Sequence, residues 1–172
     1  MTGIALAALG PASVTLTDLP TVVSLIQENL RLNCVLFAEK HLKNVIETNY
    51  CAQELVWEHD IDENFQADYD VIIASDIVYD PITFTPLYDT LCGLLKEKTF
   101  CIMAHRTRNS DVPKFFQMLH DNPNIVIMEI KLCDIISPSI SSDISIFLLQ
   151  NRLNSDQTLI DLHRFVMSGA FY

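Results

Sequence analysis

The chain has 172 residues, of which 49% are hydrophobic and 19% are charged. This length suits one domain with a substantial core, and the composition excludes a disordered chain. The formal net charge of −11 leaves no excess of lysine and arginine to neutralise phosphates, so we expect neither nucleic acid nor a membrane as a partner.

The cysteines and apolar runs indicate no metal site, disulfide framework or membrane span. Five cysteines are spread over the chain without a C-x-x-C pair, so we expect no metal and reduced thiols. Reduced thiols are typical of a cytoplasmic protein and also fit the nucleus. No apolar run could span a bilayer, and no basic segment after Met1 indicates a secretory signal. We also expect a monomer.

The first elements alternate between helical and extended patterns. Residues 3–9 are small and helix-forming, and the β-branched residues 14–17 predict a strand that stops at Asp18. Pro20 suits the first turn of a helix, and the apolar spacing after it predicts a helix that ends at about Asn33.

The next region is less regular. Residues 34–50 permit a second helix whose ends the pattern does not define, and residues 52–57 predict a strand that contains Trp57. An acidic loop over residues 58–68 leads to the stretch on which the functional prediction depends.

That stretch combines a short apolar run with an abrupt return of polarity. Residues 71–74 are apolar and too few for a helix, which predicts a strand buried on both faces, as in a parallel sheet. Ser75 and Asp76 follow, and Pro81 ends the extended pattern. A carboxylate there lies at the carboxyl edge of the sheet, where open α/β sheets bind ligands. The alternative for Asp76 is a helix cap.

The second half continues the alternation. Its pattern predicts helices over residues 84–96 and from residue 110, and strands over residues 99–104, 125–132 and 144–149. This order is typical of a doubly wound α/β fold with a mostly parallel sheet. The last two strands have no helix between them, so we expect an antiparallel hairpin at one side of the sheet.

Several polar or aromatic side chains are candidates for a site, and each has a structural alternative. Asp18 could accept hydrogen bonds from a ribose diol or cap the helix at Pro20. Trp57 could edge an adenine or pack in the core, and Tyr79 could direct its hydroxyl into a pocket or cap the core. His105, Arg106 and Arg108 follow the fourth predicted strand. They could bind a substrate or form a solvated loop, and we favour the loop.

Short pieces of the chain form an ordered set: residues 3–10, residues 14–20, Asn29 and Asn33, residues 55–57 and residues 70–79. Together they resemble the seven-β-strand methyltransferases of the family 16 group, mostly protein-lysine methyltransferases that act on elongation factors, chaperones and similar targets. Asp76 and Tyr79 match the D-x-x-Y signature of that group, and residues 106–109 are also similar. The resemblance extends from residue 3 to about residue 150.

The resemblance implies a Rossmann-like fold, S-adenosylmethionine as the cofactor and a lysine side chain of a protein as the substrate. It implies that Asp18 holds the ribose hydroxyls, that Trp57 lies beside the adenine and that Ala74 flanks the methionine part. Asp76 would also flank it and, with Tyr79, shape the slot in which the lysine amine meets the methyl group. We therefore expect Asp18 and Asp76 to face one shared cavity.

The chain departs from the family pattern at its start. Family members carry a first strand that ends in an E-x-G-x-G-type loop, of which Thr2 and the cofactor-binding candidate Gly3 resemble a remnant. The chain has four glycines and no G-x-G pair. We therefore expect an incomplete methyltransferase domain over residues 1–151, a tail over residues 152–172, two unpaired inner strand edges, and poor or absent cofactor binding.

Two other functions remain open at this point. A non-catalytic interaction protein could use the acidic α/β remnant and the tail. A small-molecule methyltransferase could use the same fold, because no residue in the sequence defines the methyl acceptor.

Overall fold

The computed structural model describes residues 3, 6, 11–39, 49–57, 65, 68–131 and 144–153. The predicted order of strands and helices is confirmed over these residues. The elements are β1 (Ser13–Asp18), α1 (Pro20–Glu39), β2 (Asn49–Glu54), β3 (Val71–Ser75), a 3₁₀ turn (Pro81–Thr83), α2 (Phe84–Leu94), β4 (Phe100–Arg106), α3 (Val112–Asp121), β5 (Ile125–Lys131) and β6 (Ile144–Asn151).

The chain divides into two compact units, Met1–Val56 and Trp57–Tyr172. In the first unit, β1 and β2 form a parallel pair whose register runs from Ser13 opposite Asn49 to Asp18 opposite Glu54. Helix α1 connects the two strands, as a parallel pair requires. This helix has 20 residues and continues beyond the predicted end at Asn33.

The predicted bounds of the second strand were wrong. The sequence pattern placed it over residues 52–57, whereas β2 begins at Asn49 and ends at Glu54. The reason is the register: β1 ends at Asp18, and the backbone N–H of Leu55 donates the last bond to the Asp18 carbonyl at 2.9 Å. Trp57 therefore lies in a turn after the strand.

The second unit contains a four-stranded sheet with the order β3-β4-β6-β5. Strands β3 and β4 are parallel, and β6 is antiparallel to both β4 and β5. The predicted hairpin is confirmed, with β5 at the edge of the sheet. The sheet contains parallel and antiparallel strands, and helices connect β3 to β4 and β4 to β5. This arrangement confirms the predicted α/β class and fits a Rossmann-like fold.

Helices α2 and α3 pack against one face of this sheet. The largest fully buried side chains of the core include Phe115 and Leu119 from α3, Leu87 from α2, and Met103 and Leu149 from the sheet. Alternate residues of β4 point to this face, because side chains along a strand alternate between faces. Cys101 is fully buried among them, and burial raises the pKa of its thiol to about 12.

Strand β3 is less buried than its apolar sequence predicts. Ala74 is buried, but the Val71 side chain is 42% exposed. Among the described strands, β3 pairs only with β4, and β1 pairs only with β2. One edge of each strand therefore lacks a described strand partner, and an edge strand is covered less completely than a central one. The two unpaired inner edges stay a prediction.

Some predictions fall outside the described residues. These are most of the helical segment over residues 3–9, most of the irregular region over residues 34–50, most of the acidic loop over residues 58–68, and the tail after residue 153. The predicted boundary between residues 1–151 and residues 152–172 stays a prediction. No helix within the described ranges is both long enough and apolar enough to cross a membrane.

Candidate active site

Asp76 occupies a special backbone conformation directly after β3. Its φ angle is 56°, the one positive value among the described non-glycine residues. Aspartate tolerates this left-handed region better than most residues do, because its short polar side chain can bond locally. The Asp76 N–H donates to the Ala104 carbonyl at 2.9 Å, so strand β4 fixes the point at which the chain turns and its carboxylate leaves the sheet.

The Asp76 carboxylate is paired with an arginine from the segment after β4. Arg108 donates from Nη2 to Asp76 Oδ2, and both side chains are about half exposed, at 59% and 44% respectively. An ion pair this exposed contributes little to the free energy of unfolding, about 0–1 kcal/mol. It does orient the carboxylate, and it cancels the negative charge of Asp76.

A second contact ties the same two segments together. Asn109 donates from Nδ2 to the Tyr79 carbonyl at 3.1 Å. Its Oδ1 accepts from the backbone N–H groups of Asp111 at 2.9 Å and Val112 at 3.1 Å, where α3 begins. The segment after β4 therefore holds the segment after β3 at two points, Asp76 and Tyr79.

Tyr79 lies on the outside of this segment. Its side chain is 57% exposed, whereas that of the preceding Val78 is 1% exposed and belongs to the core. The alternative in which Tyr79 caps the core therefore does not apply. The following turn is fixed by Asp80, whose carboxylate accepts from the Ile82 N–H at 3.1 Å and whose carbonyl accepts from the Thr83 hydroxyl at 2.8 Å.

His105 lies in β4 and is buried, with 3% of its surface exposed. The favoured solvated-loop interpretation was therefore wrong for His105, because pairing with β6 extends β4 through Arg106; Arg106 and Arg108 are exposed. Both ring nitrogens of His105 are buried without a hydrogen-bond partner. Such an unpaired group costs about 1–3 kcal/mol.

The environment of His105 disfavours its charged form. Burial lowers the pKa of the imidazole, the nearby Asp76 carboxylate raises it, and the Arg108 guanidinium lowers it further. The ring also lies against Phe116, with 5.5 Å between ring centroids. Phe116 in turn stacks on Phe147 at 3.8 Å, so the imidazole rests on an aromatic layer of the core.

Two of the predicted cofactor residues belong to the first unit. Asp18 is exposed at the end of β1, and its Oδ1 accepts from the Leu19 N–H at 2.8 Å. That N–H precedes α1, so this bond is not the helix cap considered as the alternative, in which the carboxylate accepts from an N–H of the first helical turn. Gly3 is helical and partly buried. A Cβ at Gly3 would meet Leu16 Cδ2 at 2.9 Å, so a larger residue would require that flexible side chain to move.

The other two predicted cofactor residues belong to the second unit. Trp57 packs against the main core cluster, and its carbonyl accepts from the Thr90 hydroxyl at 3.4 Å. Ala74 is buried in that cluster as part of β3. Core packing, the alternative considered for Trp57, is thus present, and the roles of Trp57 and Ala74 beside a cofactor stay predictions.

The structure brings together Asp76, Tyr79, Arg108, Asn109 and His105 at the carboxyl ends of β3 and β4. The contacts of Arg108 and Asn109 with the segment after β3 were missed in the sequence. The available signal was their position, since the carboxyl ends of parallel strands meet at one edge. Over the described ranges, no group of three or more His, Cys, Asp or Glu side chains could hold a metal ion.

Comparison with known proteins identifies relatives of the chain. A family model described as "Lysine methyltransferase" matches residues 1–122. The chain is 29% identical over 119 residues to protein N-lysine methyltransferase METTL21A of Mus musculus, which covers 69% of this chain and 50% of that protein. It is 34% identical over 121 residues to protein-lysine methyltransferase METTL21E of Bos taurus, covering 67% and 39% respectively.

A third relative is a UPF0665 family protein of Schizosaccharomyces pombe. The identity is 28% over 114 residues, which is 66% of this chain and 32% of the yeast protein. The chain thus spans half or less of the length of these curated relatives.

Proposed function

Because the chain belongs to the lysine methyltransferase family, we propose that it methylates the side-chain amine of lysine residues in protein substrates. The names of its relatives support a protein acceptor, since both METTL21 proteins are described as protein lysine methyltransferases. We further propose that Asp76 and Tyr79 form the slot for the lysine amine.

One observation carries this assignment: a carboxylate at the carboxyl end of β3 is bound by Arg108, and an exposed tyrosine follows three residues later. An ionised carboxylate is an acceptor only, so it can orient an amine through its N–H groups. A phenol hydroxyl can accept a second N–H bond. Two acceptors at one edge would fix the direction of the amine lone pair.

The protonation state of the amine decides whether it can react. Lysine is a nucleophile only when neutral, and an isolated carboxylate would stabilise the ammonium form. Arg108 cancels the charge of Asp76, so the pair can accept a hydrogen bond while favouring the ammonium form less. Positioning and exclusion of water then contribute most of the rate.

We propose S-adenosylmethionine as the cofactor. When bound, it supplies an electrophilic methyl carbon on a sulfonium. The exposed Asp18 carboxylate fits the two hydroxyl donors of a ribose, since a carboxylate has about four acceptor positions and one is used by Leu19. Gly3, Trp57 and Ala74 are the further candidates for holding it.

We expect weak cofactor affinity in this chain. A glycine-rich turn lets a cofactor approach the backbone closely, and the sequence contains no G-x-G pair. Calorimetric titration with S-adenosylmethionine checks this expectation. Tight, saturable binding would contradict it, although it would leave the proposed reaction intact.

The proposed reaction can be tested by incubating the purified chain with cell extract and millimolar tritiated S-adenosylmethionine. We expect label in the protein fraction, recovered as methylated lysine after acid hydrolysis. Label in methylarginine or in the small-molecule fraction would identify a different acceptor. Extract without added chain is the control, and no labelling above that control would favour the non-catalytic interaction protein.

A further inference from the structure

His105 is an unexplained polar group in the core of the second unit. Only 3% of its surface is exposed, and neither ring nitrogen has a hydrogen-bond partner. A buried polar group without a partner is unfavourable, so such groups in native proteins call for an explanation. Its neighbours on α3 and β6 include Phe116, against which it packs, and Ser145, which is opposite it in the sheet.

The position of His105 couples it to the candidate amine slot. The Asp76 N–H binds the carbonyl of Ala104, the residue before His105, and Arg108 lies three residues after it. The Asp76 carboxylate raises the pKa of the ring, and the Arg108 guanidinium lowers it. On the β6 side, the Ser145 hydroxyl donates to Glu129 on β5 at 2.6 Å.

We propose that His105 is a proton-controlled positioning residue: protonation of its buried imidazole draws the Asp76 carboxylate away from Arg108 and withdraws it from the amine slot. A neutral imidazole makes no such demand and leaves the carboxylate with Arg108. The slot is therefore assembled at neutral pH and disassembled in acid. The effect on the amine slot rests on the proposed function, whereas the pH response itself involves only the side chains of His105, Asp76 and Arg108.

The physical basis is competition for one anion. A buried cation needs a counter-charge, and Asp76 supplies a carboxylate close by, because its backbone N–H binds the carbonyl of the residue before His105. Its present partner, Arg108, is 59% exposed, so water can solvate the guanidinium when the carboxylate turns inward. Because burial and Arg108 lower the pKa of His105, the neutral form prevails at pH 7.

The test is NMR spectroscopy of the whole chain with labelled histidine and arginine side chains. On acidification from pH 8, we expect the His105 ring signals and the Arg108 guanidinium signals to change with the same midpoint, below pH 6.5. In His105→Gln, the Arg108 signals should stay constant over that range. An Arg108 signal that ignores the titration of His105, or that changes equally in His105→Gln, would show that the two are not coupled.

Two further variants keep the test decisive if His105→Gln does not fold. Asp76→Asn removes the anion and should lower the pKa of His105, whereas Arg108→Gln removes the cation and should raise it. If neither variant shifts the His105 midpoint, or if the ring does not titrate before acid unfolding, the proposal is wrong. Because no methyl transfer is measured, a negative labelling experiment leaves this test intact.

Discussion

The two units of the chain differ in how well their side chains are buried. In the second unit, α2, α3 and the four-stranded sheet enclose a core in which Phe115, Cys101 and Met103 are fully buried. In the first unit, no residue over positions 11–33 and 49–56 is buried, and Leu25 on α1 is 60% exposed. Since burial of apolar surface is the main favourable term in folding, the second unit should supply most of the stability.

The residues that we propose for the reaction come from both units. Asp76 and Tyr79, which we propose for the amine slot, belong to the well-packed unit, where Arg108 and Asn109 bind them. The ribose candidate Asp18 stands on the two-stranded unit.

We expect the largest difference between the two units when the same substitution, leucine to alanine, is made in each and the free energy of unfolding is measured. Leu119→Ala removes a fully buried side chain from α3 and should lower the free energy of unfolding by about 2–5 kcal/mol. Leu25→Ala is the matched control on α1 and should change it by less than about 0.5 kcal/mol. Urea denaturation measures both. If both variants lose the same free energy of unfolding, α1 is as well packed as α3, and the difference in packing between the two units is contradicted.

Local sequence patterns predicted the elements, because apolar periodicity reports which face of a segment is buried. They failed where a neighbouring strand decides the outcome. Pairing with β1 ends β2 at Glu54, and pairing with β6 keeps His105 in β4 although the run from His105 to Asn109 is polar. The Arg108–Asp76 pair joins residues 32 positions apart, and no local pattern encodes such a contact.

Within the second unit, Asn109 should contribute to the free energy of unfolding through its side-chain oxygen. Asn109→Ala removes the acceptor for two N–H groups at the start of α3, which should cost about 1–2 kcal/mol of unfolding free energy. Asn109→Asp keeps that acceptor and loses the donor to Tyr79, so it should recover most of the loss. If urea denaturation shows Asn109→Asp to be as unstable as Asn109→Ala, the two N–H bonds to the Asn109 side-chain oxygen are not its main contribution.

A smaller effect should appear in the pH dependence of stability. The pKa of His105 is lower in the folded chain than its usual value of 6.5, so below pH 6.5 the unfolded chain binds more protons and the free energy of unfolding falls. His105→Gln should flatten this fall between pH 7.5 and pH 5. Urea denaturation at several pH values measures the slope, with His120→Gln as the matched surface control. An unchanged slope in His105→Gln would show that His105 does not cause the fall in the free energy of unfolding.

The most direct test of the account compares two identical substitutions at opposite ends of β3. Asp76→Asn removes the charge in the proposed amine slot, whereas Asp70→Asn changes an exposed carboxylate before the strand. With tritiated S-adenosylmethionine and cell extract, we predict that Asp76→Asn lowers the rate of methyl-lysine formation roughly a hundredfold, while Asp70→Asn retains the unmodified rate. Equal rates in all three proteins would contradict the claim that the Asp76 carboxylate orients the lysine amine.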